Sequence, residues 1–277
     1  MRRKTSSKFQ CGVSAAVLAA AAVATVAGVS SSQAGIIYQD NFARTGNLAG
    51  STPAPTDATA STWTVSYPVG ATAPTTSTTN GGEAAFTNQT YTVAADLPFT
   101  LQASVTYAFT VTVTPAKGST TNWLAMGFGN AAFTGTQQGI NNGETEAWLL
   151  YRDTGGTQSF YGGGVANPAN GGGGSANSGT ADTFTITLTT PASLSSGTAS
   201  VSMYDSLDLI GSNASPRTGT LTSTELAYVD SIIIGSEGTG GTFSGLELST
   251  VPEPATLGLM GAGGLVLLLA GRKRKTV

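Results

Sequence analysis

Alternation of apolar and polar side chains is the clearest pattern in this chain. Across residues 99–113 every second position is apolar, and mostly Thr, Gln or Ser stands between. Successive side chains of a β-strand point to opposite faces of the sheet, so this spacing predicts one strand with a buried and a solvated face. The apolar positions are Phe99, Leu101, Ala103, Val105, Tyr107, Phe109, Val111 and Val113.

Shorter apolar runs predict further strands. Turn-forming residues such as Asn80-Gly81-Gly82 and Asn142-Gly143 separate them, and no segment of the central region has a convincing helical period. Many short strands with turns between them predict an all-β sandwich or barrel. The runs are residues 36–38, 63–67, 84–87, 123–128, 147–152, 184–188, 201–204, 228–234 and 243–248.

Three stretches of low complexity predict surface loops. Residues 51–62 and 70–82 are rich in Thr, Pro, Ala and Ser, and residues 162–179 are dominated by Gly, Asn, Ala and Ser. The glycine-rich stretch is not a phosphate-binding loop, because no Lys follows it and no helix opens after it.

The N-terminal segment has the layout of a secretory signal. Arg2, Arg3, Lys4 and Lys8 precede an Ala/Val-rich stretch, residues 12–29. Small residues then lead to Ala34 and Gly35, between which we expect signal peptidase to cut after export. The alternative, an uncleaved membrane helix, is disfavoured because the stretch is mostly alanine rather than leucine. Residues 1–34 are therefore interpreted as a signal peptide.

The C-terminal segment combines an apolar run with a basic cluster. The run spans residues 255–270, and Arg272, Lys273, Arg274 and Lys275 follow it. Apolar side chains favour insertion into a bilayer, and cations stay on its cytoplasmic side. A helix of this length spans about 24 Å, short of a hydrocarbon core of about 30 Å. We expect a short transmembrane helix that anchors the chain in the inner membrane only transiently.

A sequence motif gives this tail a family resemblance. Pro252, Glu253 and Pro254, the Gly/Leu-rich span and the terminal basic cluster together resemble the PEP-CTERM sorting signal of Gram-negative bacteria. The resemblance implies processing by an exosortase-type enzyme and delivery to the cell surface or extracellular matrix. The alternative is an ordinary tail anchor with an incidental Pro-Glu-Pro. The predicted organisation is residues 1–34 as signal, 35–250 as ectodomain and 251–277 as sorting signal.

Charge and residue absences narrow the function of residues 35–250. These residues hold four basic and fourteen acidic side chains, a net charge of −10, which disfavours nucleic acid as a partner. The chain has no histidine, and its single cysteine, Cys11, lies in the predicted signal. Disulfides, thiol nucleophiles, Ser-His-Asp triads and His-containing zinc or haem sites are therefore excluded there, and we expect no cofactor.

A second resemblance concerns the ectodomain. Asp40, Phe42 and Arg44, followed by Trp63, are similar to the entry of concanavalin A-like or laminin G-like jelly rolls, and residues 230–248 resemble their closing strands. The resemblance implies a single jelly-roll β-sandwich whose first and last strands lie side by side.

That fold includes carbohydrate-active enzymes, so two carboxylates are candidates for a catalytic pair. Glu144 and Glu146 are two positions apart, so on a strand they would lie on the same face. The concanavalin-like glucanases carry a Glu-x-Asp-x-x-Glu pattern, and here Leu149 occupies the last position, so the acid/base carboxylate is missing. We expect two solvated charges at the start of a strand and no catalytic residue.

Other residues are candidate ligand contacts. Trp123, Trp148 and Tyr151 are candidate glycan contacts, although large aromatic side chains in a sandwich are usually core. Asp205, Asp208 and Asn213 could offer oxygen ligands to calcium, but their spacing matches no calcium loop, so we interpret them as turn-capping residues and expect no metal site.

The sequence therefore predicts a non-enzymatic, exported surface or matrix protein, for which exopolysaccharide is a candidate partner. The alternatives are a carbohydrate-binding module and, less favoured, a glycoside hydrolase.

Overall fold

Two β-sheets account for nearly all regular structure in the computed structural model, which describes residues 35–66, 72–78, 81–86, 89–116, 123–130, 145–152, 158–161, 179–210, 213–238 and 240–251. The elements are β1 (Gly35–Asp40), β2 (Gly46–Asn47), β3 (Pro55–Asp57), β4 (Thr64–Ser66), β5 (Thr75–Ser77), β6 (Glu83–Phe86), β7 (Gln89–Pro98), β8 (Thr106–Pro115), β9 (Trp123–Gly129), β10 (Thr145–Arg152), β11 (Gln158–Tyr161), β12 (Asp182–Thr189), β13 (Ala199–Asp205), β14 (Arg217–Leu221), α1 (Ser223–Leu226), β15 (Ser231–Gly238) and β16 (Gly241–Val251).

The strands form an all-β, sandwich-like arrangement. Sheet A has ten strands, in the order β14-β13-β12-β8-β16-β6-β5-β2, with β1 between β16 and β3. Sheet B has six strands, in the order β11-β10-β9-β15-β7-β4. Every pairing is antiparallel. The first strand pairs with the last, as the jelly-roll resemblance predicts.

The main hydrophobic core takes one face of each sheet. On sheet A, Phe109, Ile186 and Leu248 are fully buried, and on sheet B Phe128 and Ile234 are. The Phe109 and Phe128 rings meet edge to face, with centroids 5.9 Å apart. Burial alternates along β8, where every odd-numbered residue is buried and every even-numbered one is partly exposed. The predicted facing of residues 106–113 is therefore confirmed.

The first half of the predicted strand at residues 99–113 is wrong. Strand β7 ends at Pro98 and β8 begins at Thr106, so residues 99–105 connect the two. The chain reverses there, and Ser104 adopts a left-handed backbone with φ of 56°. Phe99 packs on Tyr107, with ring centroids 5.3 Å apart, instead of extending the strand. Val105 is consequently only partly buried.

Several elements were not predicted from the sequence pattern. Strand β7 was missed because residues 93–97 show no alternation and Asp96 interrupts their apolar run. Strands β3 and β5 lie within stretches predicted as loops, and α1 is a four-residue helix in a region predicted to have none. A reciprocal capping box between Thr222 and Glu225 explains how so short a helix begins.

The residues that carry the jelly-roll resemblance form one buried network. The Asp40 carboxylate, fully buried, accepts hydrogen bonds from Nη1 and Nη2 of Arg44 at 2.7 and 2.8 Å. It also accepts from Trp63 Nε1 and from the backbone N–H of Phe42, both at 2.8 Å. Because every contact compensates the buried charge, the network fixes the exit of β1 against the Trp63 segment.

None of the helices among the described residues is long and apolar enough to cross a membrane. The predicted signal peptide at 1–34 and the predicted helix at 255–270 lie outside the described residues.

Candidate functional site

The end of β16 is where the folded domain meets the sorting sequence. Val251, the last residue of β16, pairs with Thr106 of β8. Thr250 pairs with Tyr107 on one side and with Gly35, the first residue of β1, on the other. The Gly35 N–H donates to Thr250 Oγ1 at 3.0 Å. The two ends of the domain therefore leave sheet A at the same place.

The remaining predicted sorting and cleavage residues follow or precede this point in the chain. Of the predicted cleavage pair, Gly35 is the first residue of β1, while Ala34 is outside the described residues. Pro252, Glu253, Pro254 and the cluster Arg272, Lys273, Arg274 and Lys275 are also outside them. The sequence places Pro252 directly after the last paired residue.

Two of the three candidate glycan contacts lie together. Alternation along the strands of sheet B places one set of side chains in the main core and the opposite set in a second buried cluster. We call this second set the tryptophan face. Trp123 and Trp148 expose only 6% and 1% of their surface, so neither offers an open ring for stacking in this conformation. The tryptophan face comprises Ala94, Trp123, Ala125, Trp148, Leu150 and Ile233.

The side chain of Tyr151 lies on the opposite face of sheet B from Trp123 and Trp148. It belongs to the main core, where its ring meets Phe184 edge to face with centroids 5.1 Å apart. The structure thus separates Tyr151 from the two tryptophans by the thickness of sheet B.

A buried carboxylate shares the tryptophan face. Asp96 of β7 pairs with Ile233 of β15 and exposes 3% of its surface. Burial, reinforced by repulsion from Asp230, raises the pKa of Asp96 from 3.8 to about 7. Sequence reasoning missed this residue, because its strand was not predicted.

Glu146 is buried, which corrects the prediction of a solvated charge. It exposes 1% of its surface and lies where the register of β10 against β9 shifts, between Thr145 and Ala147. Such a bulge re-aims the extra side chain, so simple alternation does not relate Glu146 to Glu144. Glu144 lies outside the described residues.

The calcium candidates behave as turn residues. The Asp205 carboxylate accepts the backbone N–H groups of Leu209 at 2.8 Å and Ile210 at 3.4 Å. Burial, with repulsion from Asp182, raises the pKa of Asp205 to about 6. Asp208 and Asn213 are exposed. In the part of the chain that the structure describes, no three His, Cys, Asp or Glu residues are grouped to hold a metal ion.

The outward side of β8, β12, β13 and β14 in sheet A carries mainly hydroxyl groups. We call the outward positions of β8, β12, β13 and β14 the hydroxyl face. Three cross-strand pairs hydrogen-bond there, with oxygen separations of 3.0, 3.1 and 2.8 Å for Thr106–Thr189, Thr110–Thr185 and Thr112–Thr183. The face comprises Thr106, Ala108, Thr110, Thr112, Thr114, Thr183, Thr185, Thr187, Thr189, Ser200, Ser202, Tyr204, Thr218 and Thr220.

A groove of about 460 Å³ crosses the hydroxyl face. It runs over β12, β13 and β14, where Thr187, Ser202 and Thr218 point into the same space. No charged side chain stands at an outward position of these three strands or of β8. The groove offers hydroxyl donors and acceptors to an uncharged, polar ligand.

Comparison with known families decides the nature of the tail. Residues 250–275 match the model of the PEP-CTERM protein-sorting motif. The chain carries a PEP-CTERM sorting motif. The motif implies an exported protein with a C-terminal anchor region, processed by an exosortase, and the matched residues begin at Thr250, inside β16.

The solved structures that this chain is similar to are distant. They include domain 4 of AbnA, a GH43 extracellular arabinanase from Geobacillus stearothermophilus, in complex with arabinotriose, at 13% identity and a TM-score of 0.47 over 81% of this chain and 97% of that chain. The Emp47p carbohydrate recognition domain matches at 10% identity and 0.40, over 78% and 97%. A Bauhinia forficata lectin in complex with GalNAc matches at 11% and 0.40, over 76% and 98%.

Similarities at these scores decide neither ligand nor reaction. No curated protein matches the sequence significantly.

Proposed function

We propose that this chain is a non-enzymatic surface or matrix protein, a concanavalin-like jelly-roll domain delivered by its signal peptide and released or transferred by an exosortase. The observation that carries the proposal is the continuity of β16 with the PEP-CTERM motif. The motif begins while the chain is still hydrogen-bonded in sheet A, so the whole folded domain is the cargo of the sorting step.

Two further features support this assignment. The two ends of the domain meet at the β1–β16 pair, so both processing points adjoin one place on the fold. The first and last strands are also well held, since Leu246 and Leu248 of β16 and Tyr38 of β1 are fully buried. Removal of either terminal segment would therefore leave the core intact.

Replacement of Pro252, Glu253 and Pro254 by alanine tests the sorting step. Alanine leaves the apolar run untouched, so membrane insertion should continue while processing stops, and full-length protein should accumulate in the membrane fraction. Immunoblots of membrane and extracellular fractions measure both. A matched triple-alanine change at Ser193, Ser195 and Ser196, exposed in the turn before β13, should be processed like the wild type. Equal size and distribution for both variants and the wild type would refute the proposal.

A second candidate function is binding of a neutral polysaccharide. The groove on the hydroxyl face favours it, because its volume suits a saccharide unit and its lining is uncharged and rich in hydroxyls. The partner would then be an exopolysaccharide of the matrix that receives the protein.

A glycan array probed with the secreted protein tests this candidate. Ser202→Phe fills the groove and should abolish the signal for any neutral glycan that the wild type binds. Ser244→Phe, on β16 and separated from β13 by β8 and β12, is the control that should bind normally. Absence of binding by the wild type, or equal binding by Ser202→Phe, would remove the groove from consideration.

A further inference from the structure

The strand that carries the sorting motif is paired to its last residue. Val251 is paired with Thr106, and Thr250 is paired on both sides, with Tyr107 and Gly35. Pro252 follows at once. No residue lies between Val251 and Pro252, so no flexible spacer separates the sheet from the motif. The three motif residues span at most about 11 Å of chain before the apolar run begins.

Pro252 and Pro254 favour an extended backbone, the form in which a processing enzyme would bind the motif. Extended substrates are bound through their backbone N–H and C=O groups, and a backbone group already used in one sheet is not free for another. The residues just before the motif already use backbone groups in sheet A, because Ser249, Thr250 and Val251 belong to the ladder with β8.

The fold confines any opening of this strand to its end. Val251 is 40% exposed, and Ser249 and Thr250 are partly exposed. Leu248, in contrast, is fully buried in the main core. Separation of residues 249–251 breaks a few terminal hydrogen bonds, whereas separation beyond them would expose the core, so the strand end can open locally while the domain stays folded.

We propose that the pairing of residues 249–251 with β8 and β1 restrains the sorting motif, and that the exosortase gains access when these residues separate from the sheet. This inference rests on the proposed function and assigns a regulatory role to Thr250. Its hydroxyl ties the two strands, since Oγ1 accepts from Gly35 N–H at 3.0 Å and lies 3.4 Å from the Gly35 carbonyl oxygen.

Pulse-chase measurement of processing tests the restraint. A Gly-Ser-Gly-Ser spacer between Val251 and Pro252 supplies unpaired chain, so processing should become about tenfold faster, equivalent to about 1.4 kcal/mol. The same spacer after Ser195, in the exposed turn before β13, is the control and should leave the rate unchanged. A spacer variant processed at the wild-type rate or more slowly would overturn the proposal.

Thr250→Val separates strand pairing from simple distance. It keeps the side-chain shape and removes the hydroxyl contacts to Gly35, so processing should be about fivefold faster. Thr242→Val, near the other end of β16, should process normally. A fast spacer variant with an unchanged Thr250→Val would attribute the effect to distance and overturn the restraint. If the proposed function itself were wrong, the result would differ, because the triple-alanine change at 252–254 would then not alter processing.

Discussion

The outward sides of the two sheets are built in opposite ways. The hydroxyl face of sheet A is uncharged, partly exposed and covered by paired threonines. The tryptophan face of sheet B is buried and contains the carboxylate of Asp96. The difference shows that these strands of sheet A have one buried and one wet face, whereas sheet B is buried on both faces. Ligand access therefore differs between the two sheets, which favours sheet A as a contact surface.

The largest expected effect tests which face of sheet A is buried in the core. Phe109→Asp places a charge in the core without a partner and should cost more than about 5 kcal/mol, enough to unfold the domain. Thr110→Asp, on the hydroxyl face, should cost about 1 kcal/mol, since one hydroxyl pair is lost. Urea denaturation of the two variants measures the contrast. Similar losses at both positions would show that the facing of β8 is wrong.

The next effect compares the two outward faces directly. Trp148→Ala should lower the free energy of unfolding by about 3–5 kcal/mol, because its side chain is buried in the tryptophan face. Thr187→Ala, on the hydroxyl face, should cost less than about 1 kcal/mol. The comparison fails if Trp148→Ala is as mild as Thr187→Ala.

The acidity of Asp96 should make the tryptophan face sensitive to pH. Its pKa is about 7 in the folded protein and near 3.8 when unfolded, so the folded state retains a proton that the unfolded state loses. The stability from this group is complete below about pH 4 and is lost as pH rises through about 7, by up to about 4 kcal/mol. Asp96→Asn should therefore gain stability over the wild type as pH rises.

Thermal or urea unfolding between pH 4 and pH 8 measures that gain. Asp208→Asn is the control, because Asp208 is exposed and its backbone, with φ of 56°, suits asparagine. A stability difference between Asp96→Asn and the wild type that does not change with pH would contradict a buried, proton-retaining Asp96.

The smallest expected effect concerns the threonine pairs. A double-mutant cycle with Thr112→Val and Thr183→Val, whose hydroxyl oxygens are 2.8 Å apart, should give a coupling of about 0.5–1 kcal/mol. The same cycle for Thr187 and Thr218, which flank β13 from different strands, should give none. Zero coupling in the first pair would mean that the hydroxyl face is held by its backbone alone.

The sequence predicts which side of a strand is buried only where the other side is solvated. Strands β9, β10 and β15, which are buried on both sides, were predicted as apolar runs without a facing. The Thr residues between Tyr107 and Val113 mark the solvated side of β8, and the prediction holds there. Strand β7 has no such signal, because residues 93–97 are buried without interruption. The error at residues 99–105 has another cause, since a local reversal at Ser104 happens to preserve the alternation.

The candidate sites also differ in how far the sequence predicts them. The sorting motif is contiguous in sequence, so Pro252, Glu253 and Pro254 were found directly and the family match includes them. The groove needs Thr187, Ser202 and Thr218 from three strands, one of which was not predicted, so only strand pairing reveals it. Glu146 is buried beside a shift in strand register, and residue spacing encodes neither the burial nor the shift.

The most direct test of the central claim is the intact mass of the protein recovered from the extracellular fraction. A sandwich sorted through its PEP-CTERM motif should begin at Gly35, retain β16 through Val251 and lack both the apolar run at 255–270 and the terminal basic cluster. An extracellular species that still contains Met1, or one that keeps residues 255–277, would contradict the account.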